Sequence, residues 1–199
     1  MKNYSSEWIH KLENLKHWNY YWYQVRDIRD VSKPEDKILE IGVGTRFTSN
    51  YLKSKDYDVT TIDIDPDKKP DIVANVSDYQ FEETFTNVMA FEVFEHIPFD
   101  DFQKILAKIH TICTGRLLIS LPRNEKVWFD MNIELPGSRQ IRFRLATRRN
   151  KILSRHHHWE IDYKQYTNTF LAQVFADHGF AIEKMERVKS LYYYTLKKV

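Results

Sequence analysis

The sequence predicts an α/β fold in which a doubly wound, mostly parallel sheet ends in an antiparallel C-terminal hairpin. From residue 36 to residue 123, short apolar runs suited to buried strands alternate with helical segments, which is typical of parallel strands covered on both faces. Gly42 and Gly44 separate the first apolar run from a helix predicted over Phe47–Lys53. Two further apolar runs, Phe180–Val188 and Leu191–Leu196, are close enough in sequence to pair as a hairpin.

An amphipathic helix is predicted before the sheet, over residues 5–28, because apolar residues recur there every three to four positions. Residues 32–36 form a short linker from this helix to the first strand. The helix carries an aromatic cluster that either packs it against the sheet or closes a ligand site. The members of the cluster are Trp18, Tyr20, Tyr21, Trp22 and Tyr23.

A second clear helix is predicted after the fourth strand. Asp100 and Gln103 are expected to form its capping pair, and Gly115 is expected to lie just past its end. Another helix is expected over residues 166–175, stopped by Gly179. The apolar face of the second helix consists of Phe102, Ile105, Leu106, Ile109 and Ile112.

Length and composition indicate one domain with a substantial core, because the chain has 199 residues of ordinary globular composition. No apolar run approaches the ~20 residues of a membrane-spanning helix. No secretory signal is apparent, so a cytoplasmic protein is expected. The single cysteine, Cys113, excludes a disulfide framework and a cysteine-based zinc site, and it is expected to pack in the core.

The segment around the two glycines has the chemistry of a nucleoside cofactor site. Gly42 and Gly44 let the backbone turn sharply, and Asp63 ends the next strand, where a carboxylate can accept both hydroxyls of a ribose. Ordinary turns also use glycine, and a dinucleotide site is the nearer alternative. However, Phe47 occupies the third glycine position of the dinucleotide pattern. Glu40 would repel a pyrophosphate, whereas it suits the cationic amino-acid end of S-adenosylmethionine.

These residues resemble the class I S-adenosylmethionine-dependent methyltransferases over about residues 37–123. Glu40, Gly42 and Gly44 match the acid-x-Gly-x-Gly pattern of that family, and Asp63 matches the acid that ends its second strand. The resemblance implies a Rossmann-like, seven-stranded class I methyltransferase fold with S-adenosyl-L-methionine as methyl donor. Arg46 departs from the family, which usually has a third glycine there. The cofactor contacts implied by the resemblance are those of Glu40, Gly42, Gly44, Asp63, Ile64, Asn75, Val76 and Glu92.

Three later segments extend the resemblance. Residues 71–78 resemble the segment that receives the adenine, with Asn75 in place of the commoner aspartate. An amide keeps an acceptor at this position. Residues 88–97 resemble the fourth strand of the family, and residues 116–122 resemble the fifth.

Residues 124–160 interrupt the alternation and are predicted to form a basic cap at the substrate side of the sheet. Residues 135–159 contain no acid, although the whole chain has a formal net charge of only +2. Such a surface would attract an anionic small molecule, nucleic acid or an anionic membrane, or it would form a solvated face or a dimer contact. A substrate role is favoured because ligands of open α/β sheets bind beyond the carboxyl ends of the strands. The cations of the cap are Arg139, Arg142, Arg144, Arg148, Arg149, Lys151 and Arg155.

The candidate catalytic residues are His96 and His157. Imidazole titrates near neutrality, so either could accept a proton from a substrate hydroxyl, although His96 could equally be a structural histidine of its turn. The pattern of Glu92, Glu95, His96 and His157 resembles the one with which small-RNA terminal 2′-O-methyltransferases and some quinone-pathway O-methyltransferases hold a divalent ion. Carboxylate and imidazole ligands suit such a metal.

The predicted organisation is a single methyltransferase domain over residues 1–199. Its parts are an N-terminal helical cap (1–30), a cofactor-binding core (36–123), a basic substrate-cap insertion (124–160) and a closing helix and hairpin (161–199). The predicted function is O-methylation, less readily N-methylation, of a small anionic metabolite or glycan precursor. The alternatives are an RNA-end 2′-O-methyltransferase that uses a divalent metal and a non-catalytic S-adenosylmethionine-binding regulatory domain. The sequence leaves the acceptor and the oligomeric state open.

Overall fold

The structure is a computed structural model that describes residues 14–137 and 139–199. The predicted N-terminal helix corresponds to α1, and its residues 5–13 lie outside the described residues. The helices described are α1 (Leu15–Val31), α2 (Phe47–Lys53), α3 (Phe99–Ile112) and α4 (Asn168–Asp177). The strands are β1 (Lys37–Ile41), β2 (Asp58–Asp63), β3 (Ile72–Val73), β4 (Phe85–Phe91), β5 (Cys113–Pro122), β6 (Glu125–Leu135), β7 (Arg139–Arg148), β8 (Phe180–Val188) and β9 (Leu191–Lys198).

Seven strands form one sheet in the order β3-β2-β1-β4-β5-β9-β8. Strands β1 to β5 run parallel, whereas β9 is antiparallel to both β5 and β8. The predicted fold class, including the closing hairpin, is confirmed. Strands β2 and β3 are added on one side of β1, and β4 and β5 are added on the other. The loops after β1 and β4 therefore diverge and leave a crevice at the carboxyl edge of the sheet.

The sheet is buried on both faces, as a doubly wound sheet must be. Ile38 and Leu39 are adjacent in β1 and both fully buried, but they belong to different core clusters. Leu39 packs in the larger cluster, which includes residues of α3 and α4. Ile38 packs with Ile28 of α1 and Leu52 of α2 on the other face. Along the described chain, no helix is both long enough and apolar enough to cross a membrane.

The ends of α3 differ from the sequence prediction. The helix begins at Phe99 after Pro98, so Asp100 lies inside its first turn, and the expected capping pair of Asp100 and Gln103 does not form the cap. An acid in the first turn still favours the helix dipole. At the other end, α3 stops at Ile112, and Gly115 lies within β5 rather than at a helix stop. A Cβ atom there would approach the Thr86 carbonyl oxygen to 2.6 Å, so the glycine lets β4 and β5 pack closely.

Helix α4 begins later than predicted, because the Thr167 side chain accepts a hydrogen bond from the Phe170 amide and caps the helix. Tyr166 therefore lies before the helix, where its ring packs against Phe99. The helix ends close to Gly179, which has a φ of 78°.

Strands β6 and β7 form a separate two-stranded ribbon that the sequence prediction missed. Arg144 in β7 forms ion pairs with Glu125 and Asp130, and Arg187 of β8 also binds Glu125 at 2.5 Å. The pairs of Arg144 hold β6 and β7 together, and the pair of Arg187 with Glu125 fixes the base of the ribbon to the sheet. One ribbon face is apolar and partly exposed, and it carries Phe129, Met131, Ile133, Ile141, Phe143 and Leu145.

Candidate active site at the carboxyl edge of the sheet

The glycine loop after β1 leaves room for a ligand. Gly42 and Gly44 have φ values of 78° and 48°, a region that side-chain-bearing residues rarely adopt. A Cβ atom on Gly42 would lie 2.5 Å from Cγ2 of Val93, so this glycine brings the loops after β1 and β4 together. A Cβ atom on Gly44 would meet no atom within 4 Å, so the space beside Gly44 is open.

Asp63 organises the loop after β2. One of its carboxylate oxygens accepts a hydrogen bond from the Val43 amide at 3.0 Å, and the other accepts from the Asp65 amide at 2.9 Å. The Lys68 ammonium binds the first of these oxygens at 3.2 Å. Asp63 thus ties its own loop to the glycine loop. A carboxylate has about four acceptor positions, so capacity remains for a ligand hydroxyl.

The other predicted cofactor residues of this region lie in loops at the same edge of the sheet. Ile64 is an exposed apolar side chain directly after Asp63, with half of its surface accessible. Asn75 is exposed, and its side-chain oxygen accepts a hydrogen bond from the Ser77 amide at 3.1 Å. The Val76 side chain is buried in the core, so only its backbone is available to a ligand.

Glu40 and Arg46 are an acid and a base on either side of the glycine loop. Glu40 Oε2 and Arg46 Nε are both buried, and neither atom has a hydrogen-bond partner among the described residues. Burial raises the pKa of Glu40 to about 8, although the Ser49 hydroxyl and the charges of Lys53 and Arg46 favour its ionised form. Arg46 has a left-handed backbone with a φ of 63° and no side-chain cap at the start of α2.

Helix α1 packs its aromatic cluster in two directions. Tyr20 is buried and packs with Tyr193 of β9. Tyr21 stacks on Phe47 at a centroid distance of 4.7 Å, and its hydroxyl accepts a hydrogen bond from Thr45 at 3.0 Å. Trp18 also contacts Phe47, edge to face. The helix therefore supports the glycine loop as well as the sheet.

Glu92 marks the crevice after β4 with a second strained backbone position. Its φ is 56°, which is uncommon for a residue with a side chain. Its amide donates to the Ser120 hydroxyl, and that hydroxyl donates to Glu92 Oε1, each at 3.0 Å. The end of β5 thus holds Glu92 at the crevice.

Glu95, His96 and His157 meet beside this crevice, with one ligand atom from each within 4.8 Å of the others. The rings of His96 and His157 are 4.9 Å apart. His96 Nδ1 donates to the carbonyl oxygen of His156 at 3.0 Å, and His157 Nδ1 donates to Glu160 Oε1 at 2.6 Å. Because both Nδ1 atoms carry protons, both Nε2 atoms present a lone pair in the neutral rings.

A buried tryptophan places the histidine segment. Trp159 is fully buried between Phe99 and Phe102, and its indole NH donates to the Ile97 carbonyl at 3.1 Å. The His158 amide donates to the Glu95 carbonyl at 2.7 Å. The loop after β4 and the histidine segment are therefore joined through both side chain and backbone.

Glu160 is a site residue that the sequence prediction missed. Its buried carboxylate accepts hydrogen bonds from His157, from the Leu153 amide at 2.8 Å and from the Asn124 side chain at 2.5 Å. Its position three residues after His157 was the only signal available in the sequence.

Burial favours the neutral forms of His96 and Glu95. Burial lowers the pKa of His96 to about 4, and the charges of His157, His156 and Lys68 act in the same direction. Burial and the neighbouring Glu92 raise the pKa of Glu95 well above its usual value. Both carboxylate oxygens of Glu95 are buried and have no hydrogen-bond partner among the described residues. The cluster thus contains acceptor atoms that the described residues leave unsatisfied.

The basic cap is less cationic than its composition predicts. Arg144 is ion-paired with Glu125 and Asp130, and Arg148 lies 3.5 Å from Asp162. The cations of the cap that form no ion pair among the described residues are Arg149, Lys151 and Arg155.

The sheet order and the glycine loop define a Rossmann-like enzyme of the class I S-adenosylmethionine-dependent methyltransferases, as the sequence resemblance indicated. A family model described as "Methyltransferase domain" matches residues 12–185, and the chain belongs to this family. No curated protein matches the sequence.

Solved methyltransferase structures share the fold. Magnesium protoporphyrin IX methyltransferase from Synechocystis PCC 6803, solved with bound SAH, has a TM-score of 0.62 and 13% identity, covering 93% of this chain and 84% of that one. An S-adenosylmethionine-dependent methyltransferase from Clostridium acetobutylicum ATCC 824 has a TM-score of 0.61 and 11% identity, covering 96% and 98%. The glycopeptide N-methyltransferase MtfA with SAH has a TM-score of 0.59 and 14% identity, covering 88% and 89%. At these identities the similarity establishes the fold.

Proposed function

We propose that this methyltransferase transfers the methyl group of S-adenosylmethionine to a hydroxyl oxygen of a small anionic acceptor. The observation that carries the proposal is the pair formed by His157 and the buried Glu160 at the carboxyl edge of the sheet. A hydroxyl must lose its proton as it becomes an ether oxygen, so methylation of a hydroxyl benefits from a base held in place.

The cofactor is proposed to bind across the two loops that follow β1 and β2. The open space beside Gly44 lets the cofactor lie against the backbone of the glycine loop. Asp63 accepts hydrogen bonds from the ribose hydroxyls. Ile64 and the segment of Asn75 and Val76 contact the adenine. Glu92 lines the methyl-transfer side of the crevice. The structural neighbours that contain SAM or SAH support this choice of cofactor.

His157 is proposed as the general base. The acceptor proton moves to His157 Nε2. The Nδ1 proton stays on the ring and remains hydrogen-bonded to Glu160, whose carboxylate stabilises the imidazolium. The acceptor oxygen forms a bond to the methyl carbon, and the carbon–sulfur bond breaks with its electron pair left on sulfur. Burial lowers the pKa of His96 to about 4, so its ring is neutral at pH 7. We assign it the role of a neutral acceptor that orients the substrate hydroxyl.

The anionic character of the acceptor is proposed from the cations beside the histidine segment. Arg155 directly precedes the histidines and is exposed, and Lys151 is also exposed. These side chains can attract a phosphate or carboxylate toward the crevice. The proposed parts of the domain are accordingly a cofactor-binding core (36–123) and a substrate cap (124–160), with a helical cap (1–30) and a closing helix and hairpin (161–199).

A divalent metal bound by Glu95, His96 and His157 is the alternative to base catalysis by His157, because Nε2 of His157 cannot both coordinate an ion and accept the acceptor proton. The residues fit such an ion: Glu95 has two unsatisfied oxygens, and each histidine has its Nδ1 fixed by an acceptor, the usual support of a histidine ligand. A bound divalent ion would lower the pKa of an acceptor hydroxyl. The same arrangement is the observation that favours a metal-using RNA-end 2′-O-methyltransferase as the alternative function.

The proposal is tested with a methyl-labelled donor and separate pools of phosphorylated sugars, carboxylic acids and short RNA. We expect label in the first or second pool as an alkali-stable methyl ether, whereas an alkali-labile methyl ester would show that a carboxylate oxygen is the acceptor and would contradict the role of a base. Label in RNA alone would replace the proposal with the alternative. SAH binding measured by calorimetry, combined with no labelled product in any pool or cell extract, would instead indicate a regulatory domain.

A variant series connects the activity to the site. His157→Ala should reduce turnover by about 100- to 1,000-fold with little change in SAH affinity, because base catalysis contributes on that order. His178→Ala is the control, since His178 lies at the end of α4. Equal losses in the two variants would remove the assigned role of His157.

A further inference from the structure

The apolar face of the ribbon lies open to solvent. Each of the three cross-strand pairs on this face joins two apolar residues, as Met131 and Phe143 do. Ile141, Phe143 and Leu145 each keep more than half of their surface accessible, and no described residue of the ribbon belongs to a core cluster. Contiguous exposed apolar patches mark interaction sites, and a two-stranded ribbon alone is only marginally stable in water. This face is therefore expected to bind a partner.

The opposite face of the ribbon is polar and forms its ion pairs within the chain. Asp130 lies opposite Arg144 in the ribbon and binds its guanidinium, which also binds Glu125. The ribbon is thus amphipathic, and its apolar face is the one available to an external partner.

A tryptophan and several cations lie at the base of the ribbon. The Trp128 ring is more than half exposed, and the Lys126 ammonium lies 3.7 Å from its centroid. The indole NH donates to the Thr147 hydroxyl at 2.9 Å. Arg148 ends β7 with most of its side chain exposed, and Lys151 is also exposed. Tryptophan and long cationic side chains are enriched where a protein crosses from lipid to water.

Charge distinguishes the possible partners of the apolar face. Residues 135–159 contain no acid. A second copy of the chain would bring an equally basic surface to the contact, and like charges across an interface repel. A bilayer with anionic headgroups offers apolar and anionic chemistry together, which complements both the apolar face and the cations at its base.

We propose that the ribbon docks this protein on an anionic lipid bilayer, with its apolar face at the boundary between headgroups and acyl chains and with Lys126, Arg148 and Lys151 at the lipid phosphates. Strand β5 ends at Pro122 and the ribbon begins at Glu125, so the ribbon extends from the carboxyl edge of the sheet. Docking therefore holds the crevice near the membrane surface. The inference is independent of the methyl acceptor.

The test is cosedimentation of the full chain with vesicles of phosphatidylcholine alone or of phosphatidylcholine mixed with phosphatidylglycerol. Wild type should bind the mixed vesicles at least about 10-fold more tightly, because each cation near an anionic surface contributes about fivefold. High salt should reduce this preference by screening the charges.

Ile141→Ser combined with Phe143→Ser should weaken binding to the mixed vesicles by about 10- to 100-fold, because two apolar side chains are no longer transferred from water. Ile182→Ser combined with Met185→Ser is the matched control, since these apolar side chains are exposed on β8, outside the ribbon. It should bind the vesicles as wild type does. Thermal unfolding of both variants checks that the fold is retained.

A second pair of variants tests the cations. Lys126→Gln combined with Arg148→Gln should weaken binding to the mixed vesicles by about 10- to 30-fold and leave binding to phosphatidylcholine alone unchanged. Lys33→Gln combined with Lys55→Gln is the control, because both lysines are exposed at the amino edge of the sheet.

Three results would overturn the proposal. The first is no binding of wild type to the mixed vesicles. The second is equal binding by wild type and by the variant with serine at 141 and 143, which would show adsorption by charge alone. The third is a wild-type dimer in analytical ultracentrifugation that becomes a monomer in the same variant, which would assign the apolar face to a contact between two copies.

Discussion

His157 Nδ1 lies 2.6 Å from Glu160 Oε1, and Glu160 is fully buried. The pair fixes both the tautomer and the direction of the histidine ring, because the protonated Nδ1 points to the carboxylate and Nε2 points away from it. The neighbouring bonds from Asn124 and from the Leu153 amide hold the carboxylate in turn. A base oriented in this way needs little reorganisation during methyl transfer.

Glu160→Gln should therefore lower turnover by about 100-fold or more while SAH affinity changes by less than threefold, because the imidazolium of His157 loses its charged partner. The amide also cannot accept all three hydrogen bonds, so unfolding free energy should fall by about 1–3 kcal/mol. Activity with the identified acceptor and chemical denaturation measure the two effects. Glu183→Gln, at a surface ion pair with Arg116, is the control and should retain full turnover. Full turnover of Glu160→Gln would contradict the assigned role of the pair.

The pH dependence of the unfolding free energy should show whether burial raises the pKa of Glu40. Its folded-state pKa of about 8 lies above the ordinary value of 4.5, so protonation favours the folded state. This stabilisation is complete below about pH 4.5 and is lost as the pH rises to about 8. Glu40→Gln removes the titration. Its unfolding free energy should match that of wild type near pH 4.5 and exceed it by a few kcal/mol above pH 8, at about 1.4 kcal/mol per pKa unit.

Denaturation of both proteins across this pH range measures the difference. Glu35→Gln is the matched control, because Glu35 is exposed in the linker before β1. Its difference from wild type should stay within about 0.5 kcal/mol at every pH. A pH-independent difference for Glu40→Gln would show that Glu40 is solvated.

Two glycines should separate stability from binding. Gly115→Ala brings a Cβ atom to 2.6 Å from the Thr86 carbonyl, so it should cost about 1–3 kcal/mol of unfolding free energy without changing SAH affinity of the folded protein. Gly44→Ala has open space around its Cβ and should cost only about 1–2 kcal/mol for the left-handed backbone. It should nevertheless weaken SAH binding by about 10-fold or more, because the methyl group enters the proposed cofactor space. Thermal unfolding and calorimetry measure the two effects, and unchanged SAH affinity in Gly44→Ala would show that the cofactor lies elsewhere.

The parts of the fold that the sequence predicted are those governed by local patterns. Helix α2 has the predicted bounds Phe47–Lys53, and the closing strands pair as expected. The β6–β7 ribbon was missed although its apolar residues alternate in register, as Met131 and Phe143 do. An alternating strand is expected to bury one face, and this ribbon leaves its apolar face partly exposed. Many arginines between the apolar residues also suggested a charged surface instead of a strand.

The site was less predictable because it depends on contacts between distant segments. The loop after β4 and the segment of His157 are about sixty residues apart, and Trp159 joins them through its bond to the Ile97 carbonyl. The sequence places histidines and acids in both segments, but it does not indicate which nitrogen is held by Glu160. It also does not show that Arg144 is neutralised by Glu125 and Asp130, since charge counts ignore pairing.

The Glu95 carboxylate provides the test of metal binding. Both of its oxygens are buried without a partner among the described residues, so the side chain costs stability in the metal-free protein. Glu95→Gln should therefore melt at or above the wild-type temperature in the presence of a chelator.

Adding manganese, cobalt or magnesium should reverse this order. An ion that binds only the folded state stabilises the wild-type protein, by about 2.7 kcal/mol when the free ion concentration is 100 times the dissociation constant. The wild-type melting temperature therefore rises. Glu95→Gln should lose most of this increase because it lacks an anionic ligand, and His96→Ala should lose it as well. Glu82→Gln, an exposed acid before β4, should respond to each ion as wild type does. If no ion raises the wild-type melting temperature and full turnover persists in chelator, His157 and Glu160 act without a metal.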